Sequence, residues 1–222
     1  MLLAIDSSTQ RVGLALYDGA QVAGEMVWTS QNHHTVELAP AVDELLRRCG
    51  VKPDELTCLG VALGPGSFTS LRIGLALAKG MALGLHLPVV GVPTLDMVAA
   101  SVPVSELPLA AVLQAGRMRI AVGWYTAQGE DWKSDGEALV TTAEELAARI
   151  RKPTLVCGEL TADERQLLAR KRKNVLLASP AQSVRRPALL AELAWKRFQD
   201  GQRDEVISLA PIYLHVAEPI PA

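Results

Sequence analysis

A chain of 222 residues with 49% hydrophobic composition has enough length and apolar content for one large or two small domains, which excludes a disordered tail. The formal net charge of −2 excludes a global basic field, so any nucleic-acid contact has to come from a local patch or from a partner. The three cysteines, Cys49, Cys58 and Cys157, are widely spaced without a C-x-x-C pair, which fits reduced thiols and neither a disulfide framework nor a zinc site.

Met1 leads straight into an apolar strand with no basic n-region, and no apolar run reaches membrane-spanning length unbroken, so a soluble cytoplasmic protein is expected. Leu2 to Ile5 form that strand, which ends at Asp6. After the polar loop Ser7, Ser8, Thr9 and Gln10, a second strand runs over Val12 to Tyr17. Asp18-Gly19 is a hairpin signal, and Gln21 to Trp28 follow as a third strand in an antiparallel meander. Thr35 to Cys49 carry Leu38, Val42, Leu45 and Cys49 at helical spacing; Pro40 falls near the first turn or kinks the helix, and Gly50 ends it. Thr57 to Leu63 read as a buried strand.

Gly64-Pro65-Gly66 is a turn, because Pro65 fixes φ and the glycines admit conformations closed to a residue with a Cβ. Ser67 or Thr69 can cap the helix that follows, which should run about four turns. Leu71, Ile73, Leu75, Leu77, Met81 and Leu83 point in every direction around it, so it is buried on two sides, against its own sheet and against a further layer or a partner. Gly74, Ala78 and Ala82 make a small-residue stripe at fourfold spacing that would let another helix approach closely. Arg72 and Lys79, seven apart, share one side. Pro88 to Val92 form another strand, and Thr94 can cap a short helix toward Ser101.

Val102 to Pro108, with two prolines, reads as the domain boundary between 1–101 and 102–222. Behind it the pattern restarts. Leu109 to Leu113 and Ile120 to Tyr125 are strands, Gln128 to Asp131 a turn and Trp132 to Val140 a third strand. Thr142 to Arg151 are helical, Thr154 to Cys157 a strand, and Thr161 caps a helix toward Lys173. A last helix spans Pro187 to Phe198.

This order, with Asp6 at the end of the first strand, resembles the actin, sugar-kinase and Hsp70 superfamily of ATP-binding folds. IDSST, then GPGSFTSLRIGLALAKGMA and PVVGVPTLD, resemble the bacterial TsaB (YeaZ-type) family of tRNA threonylcarbamoyladenosine biosynthesis, which normally reads GPGSFTGLRIG. Ser70 replaces its glycine. PIYLH resembles the family's PIYLR, with His215 in place of arginine. The resemblance implies an α/β chain of two actin/sugar-kinase/Hsp70-like lobes, each a mixed sheet flanked by helices, with the second lobe shortened.

For function, the resemblance implies a non-catalytic scaffold that pairs with a related catalytic subunit (TsaD-type), which transfers threonylcarbamoyl to tRNAs reading codons that begin with adenine. A small ATPase (TsaE-type) is the third member, tRNA is met only through the complex, and a homodimer can form when the chain is alone. The expected pairing surface lies on the helix of Thr35, Leu38 and Leu45 and on the helix that follows the Gly64-Pro65-Gly66 turn, at Phe68, Leu71, Arg72, Gly74, Leu75, Ala78, Lys79 and Ala82, packed against the partner's equivalent pair.

Asp6, Ser7, Ser8 and Thr9 stand where the superfamily holds a metal-bridged phosphate, as a vestigial loop: Ser8 replaces a glycine, and Gln114 replaces the carboxylate of the second lobe. A neutral amide cannot hold a magnesium shell, and lone Gly158 falls short of the usual paired glycines around adenosine. No resident cofactor is expected beyond weak or interface-bound ATP or ADP. His33 and His34 do not reproduce the catalytic relative's two metal-binding histidines four apart, because four residues on stand Glu37 and Leu38. No H-E-x-x-H supports a protease. Arg165, Arg170, Lys171, Arg172 and Lys173, with Arg185 and Arg186, form the dense basic region. It reads as tRNA-facing or as a solvated face without stacking aromatics. The rival readings are a compact ATP-dependent kinase or ATPase acting alone and a self-associating structural protein.

Overall fold

The computed structural model describes residues 1–31, 33–116, 118–171 and 173–214, so His215 and Arg172 lie outside the described residues. The chain forms two compact units: Met1–Met97 with Arg186–Ile212, and Val98–Arg185 with Tyr213 and Leu214.

In the first unit, β1 (Leu2–Asp6), β2 (Arg11–Tyr17) and β3 (Val22–Thr29) form the meander, and α1 (His34–Cys49), β4 (Cys58–Ala62), α2 (Phe68–Leu85), β5 (Val89–Val92) and α3 (Thr94–Ala99) follow. The sheet order is β3-β2-β1-β4-β5; β1 pairs parallel with β4, β4 with β5, and the meander is antiparallel. The central strands are continuous apolar runs because both faces are covered. Period-two alternation sends Leu3, Ile5, Leu59 and Val61 into a core with Leu38, Val42 and Leu45 of α1 and Leu75, Ala78 and Ala82 of α2. The opposite set, Leu2, Ala4, Cys58 and Val90, meets Leu190, Ala191 and Ala194.

Those last residues belong to the final helix (Pro187–Gln199), which packs on β1, β2 and β4. The chain therefore enters the second unit after Met97 and returns to the first at Arg186, where a single division at 101/102 leaves this helix with the second half. Gly60 permits the close approach, since a Cβ there would lie 2.8 Å from the Ala194 methyl. Pro40 sits inside α1, and Gly50, at φ 66°, ends it in the left-handed region.

The second unit repeats the plan with β6 (Leu109–Gln114), β7 (Ile120–Gln128), β8 (Asp131–Ser134), β9 (Leu139–Thr141), α4 (Ala143–Arg149), β10 (Thr154–Gly158), α5 (Ala162–Ala169) and β11 (Val175–Leu177), so that the final helix is α6. Its order β11-β10-β6-β7-β8 matches the first sheet strand for strand, with β9 added against β7. One antiparallel hairpin and two parallel neighbours flank the central strand in each unit, as a divergent duplication requires.

Three elements differ from the sequence reading. The expected strand Trp132–Val140 breaks into β8 and β9 around Gly136, whose φ of 133° no side chain tolerates easily. The helix after Thr161 stops at Ala169, and the freed residues lead into β11, a three-residue strand too short to be seen by periodicity. Thr94 opens its helix without capping it: its hydroxyl accepts from the Gly64 amide at 2.9 Å and bonds the Ser8 hydroxyl at 2.8 Å.

By length and apolar composition α2 could cross a membrane, yet here it is the crossover between two parallel strands of one sheet. Ser67 caps it, its hydroxyl accepting from the Ser70 amide.

Candidate functional site

Asp6 to Thr9 leave the carboxyl end of β1, the place where a parallel strand offers its amides to a ligand. Here those groups are already engaged. The Ser8 amide donates to Asp6 Oδ1 at 2.9 Å, and the Ser7 hydroxyl donates to the Ser70 carbonyl at 2.7 Å. The Ser8 carbonyl accepts from the Ser67 amide at 2.7 Å, and Thr9 Oγ1 accepts from the Arg11 amide at 3.1 Å. All four residues are buried. The GPGS turn closes over them, and Gly66 is required there because a Cβ would stand 2.1 Å from the Ser8 carbonyl oxygen.

In the second unit Gln114 ends β6 as Asp6 ends β1. Its amide donates to Glu164 Oε2 at 2.7 Å, and Glu164 also accepts from the Thr161 amide in the cap of α5. Gly158 ends β10 at φ 125°, with its would-be Cβ 2.0 Å from the Val112 carbonyl oxygen. A glutamine tied through its amide nitrogen to a helix cap brings no negative charge to this strand end, where the superfamily's carboxylate would stand.

The histidines also have local partners. His34 is buried with Nε2 at 3.1 Å from the Thr9 carbonyl, while His33 is exposed, its ring 3.9 Å from Glu37. Glu37 accepts from the Trp28 indole at 3.0 Å, and this bond, ahead of one from Ser30, holds its carboxyl below the usual range. Among the described residues no group of three or more His, Cys, Asp or Glu could hold a metal ion.

The two helices expected to bind a partner lie side by side over one face of the first sheet. Leu38, Leu45, Leu71, Gly74, Leu75, Ala78 and Ala82, expected on the pairing surface, are buried within the chain itself. A Cβ on Gly74 would meet Ser7 Oγ at 2.2 Å, so the small-residue stripe serves the approach of α2 to its own β1 loop. Of the expected surface, Thr35, Phe68 and Arg72 remain exposed, with the Arg72 guanidinium 3.8 Å above the Phe68 ring. Lys79 is half-buried and donates to the Ile207 carbonyl at 3.0 Å.

A second small-residue stripe, Ala76, Gly80 and Gly84, runs along the outer side of α2, and Cβ atoms on Gly80 or Gly84 would meet nothing within 4 Å. Beside it Leu83 is 64% and Phe68 53% exposed, and Val36 of α1 is 69% exposed. Both stripes have fourfold spacing, so spacing could not tell the outer from the inner. The signal that could is the phase of Arg72, which lies four residues before Ala76.

The basic residues divide by environment. Arg165 donates to the Ala178 carbonyl at 2.6 Å, buried Arg185 pairs with Glu159, and Arg186 bonds Glu25 at 3.1 Å through Nε. Arg170, Lys171 and Lys173 are exposed.

Residues 25–192 match the family described as TsaD: tRNA N6-adenosine threonylcarbamoyltransferase. The chain is 30% identical over 98% of its length, and 95% of the relative's, to the tRNA threonylcarbamoyladenosine biosynthesis protein TsaB of Bacillus subtilis. It is 37% identical to the Escherichia coli protein of that name, over 44% of this chain and 42% of the relative. Among solved structures it is similar to YeaZ from Pseudomonas aeruginosa, with a TM-score of 0.78 and 24% identity over 96% of this chain and 99% of that one. A likeness to the ROK hexokinase from Thermus thermophilus (TM-score 0.52, 12% identity, 90% and 99% covered) marks the sugar-kinase type of fold.

Proposed function

The chain belongs to the TsaB (YeaZ-type) family and acts in tRNA threonylcarbamoyladenosine biosynthesis, and from this premise we propose that it is a non-catalytic scaffold and activator subunit. Its partner in this reading is the catalytic threonylcarbamoyltransferase, related to it by fold, with a small ATPase as third member. Transfer chemistry belongs to the partner, tRNA is modified only through the complex, and the assembly is cytoplasmic. The same surface can close a homodimer when the chain is alone.

The observation that carries this reading is the outer side of α1 and α2. Phe68 and Leu83 are exposed on α2 with the Ala76, Gly80 and Gly84 stripe, and Val36 is exposed on α1, so the pair offers a second helix pair close backbone approach and apolar area to cover. Thr35, Arg72 and Lys79 rim it. The engaged phosphate loop supports the non-catalytic half of the proposal, because amides and hydroxyls already bonded within the protein cannot receive a nucleotide without breaking those bonds. Nucleotide then binds the lone chain weakly or only at the interface.

Reconstitution tests the reading. The chain should co-elute with the catalytic relative, produce no modified tRNA alone and raise the partner's yield. Micromolar binding of magnesium-ATP to the lone chain, with turnover abolished in Asp6→Asn, would favour the rival reading of a compact kinase or ATPase.

A further inference from the structure

Parallel pairing sets the starts of β10 and β11 side by side, with Thr154 opposite Val175 and the Thr154 amide donating to the Asn174 carbonyl at 2.8 Å. The residues that lead into them, Arg151-Lys152-Pro153 after α4 and Arg170, Lys171, Lys173 and Asn174 after α5, therefore emerge at one end of the second unit. Arg151, Lys152, Arg170, Lys171 and Lys173 are all exposed there, and among the described residues none of the five is in an ion pair. The acidic residues of both helices, Glu144, Glu145, Asp163 and Glu164, sit in the first turns at the other end.

The duplication supplies an internal control. In the first unit the matching segments are Val51-Lys52-Pro53-Asp54-Glu55 before β4 and His86-Leu87-Pro88 before β5, where Lys52 is outnumbered by two carboxylates. The topology does not demand positive charge at this position. Complementing the dipole of α4 does not account for Arg151 and Lys152, since Arg149 already stands in that helix's last turn, and at α5 it accounts for Arg170, the C-cap, and leaves Lys171 and Lys173 beyond it. In a chain of net charge −2, five unpaired cations on two adjacent loops make a local field suited to a polyanion.

We propose that this end of the second unit binds the phosphate backbone of the tRNA substrate. The proposal rests on the chain's role in tRNA modification. No aromatic residue stands in either segment, so bases are not stacked and the contact is independent of sequence, governed by counterion release. It positions tRNA and performs no chemistry.

The test compares the wild-type full chain with Arg151→Glu/Lys152→Glu and Lys171→Glu/Lys173→Glu, each assembled with the catalytic relative and the small ATPase. The probe is a fluorescently labelled unmodified tRNA transcript, titrated by anisotropy between about 50 and 200 mM salt. Both variants should melt and co-elute as wild type, bind tRNA about tenfold or more weakly at the lower salt, and lose roughly one unit of log K against log salt slope per lost phosphate contact. Unchanged affinity and slope in an assembled variant would overturn the proposal. The same titration on the full chain alone separates this proposal from the scaffold reading: charge reversal should weaken its low-salt binding whether or not pairing occurs, and equal binding by wild type and variants overturns the patch. A wild-type chain that binds tRNA through these residues yet never co-elutes with the catalytic relative counts against the scaffold alone.

Discussion

Ser7 and Gly74 are locked together: the Ser7 hydroxyl donates to the Ser70 carbonyl at 2.7 Å, and a Cβ on Gly74 would stand 2.2 Å from that hydroxyl oxygen. The first two turns of α2 are thereby seated on the loop that follows β1. One helix turn further on, Ala78 is fully buried against the same sheet, and Ala82 continues the line. The orientation of α2, and with it the choice of surface left for a partner, follows from this contact.

Ala78→Glu should prevent the lone chain from folding. A carboxylate placed at a fully buried position with no partner costs several kcal/mol, against a total stability of about 5–15 kcal/mol for a domain. Circular dichroism and thermal melting measure it. A cooperatively folded Ala78→Glu chain that still bound the catalytic relative would show that the inner stripe does not lie where it is placed here.

Gly80 sits on the opposite side of α2 in open space, and the two glycines should therefore respond with opposite sign. Gly80→Ala removes backbone freedom from the unfolded chain at an unobstructed helical site and should stabilise by about 0.5–1 kcal/mol, while Gly74→Ala should destabilise through the Ser7 contact. Gly80→Glu, also tolerated by the fold, should abolish co-elution with the catalytic relative. Pairing undiminished in a folded Gly80→Glu chain would move the interface off this helix.

Strands and helices were legible wherever a residue's environment repeats along the chain. The meander announced itself by Asp18-Gly19, and α1 by Leu38, Val42 and Leu45. What the spacing of small residues could not carry was phase. The Gly74, Ala78, Ala82 and the Ala76, Gly80, Gly84 stripes are both built of glycine and alanine at the same spacing, and the long-range bond from Ser7 to Ser70 fixes which turns inward. The return of α6 to the first sheet is likewise long-range, fixed by Ala194 against Gly60 and Pro187 against Gly13. The loop residues Asp6 to Thr9 were found by position, but their engagement with Thr94 and Ser67 depends on elements far along the chain.

Thr94→Val tests that engagement. Thr94 is fully buried, and its hydroxyl joins the Ser8 hydroxyl to the Gly64 amide, so valine keeps the shape and orphans both partners. The loss should be about 1–3 kcal/mol, read as a lower denaturant midpoint with an unchanged m-value. Thr94→Ser, which keeps the oxygen, should lose less. Equal midpoints for Thr94→Val and wild type would mean that the hydroxyl bridge contributes nothing.

Cys58 gives the chain an alkaline limit. Burial pushes its thiol from the ordinary value of 9.0 up to about 12, with the Arg203 charge opposing only in part. In the unfolded chain the thiol ionises near the ordinary value, whereas the native chain keeps the proton. Between these limits the unfolded state binds fewer protons than the native state, so the stability that Cys58 contributes is complete below about pH 9 and falls as pH rises toward 12. Cys58→Ala removes the titrating group, so the gap in stability between wild type and variant should stay constant from about pH 6 to 8.5 and shrink steadily above pH 9. Burial raises the Cys157 thiol as well, ahead of the opposing bond from Ser101, while Cys49 is half-buried. At about pH 8 a thiol reagent should therefore label Cys49 quickly and the two core cysteines only as fast as the chain opens. Rapid labelling of Cys58 in the native chain, or a stability gap that does not change above pH 9, would place its thiol in water and contradict the packing of β4 beneath α6.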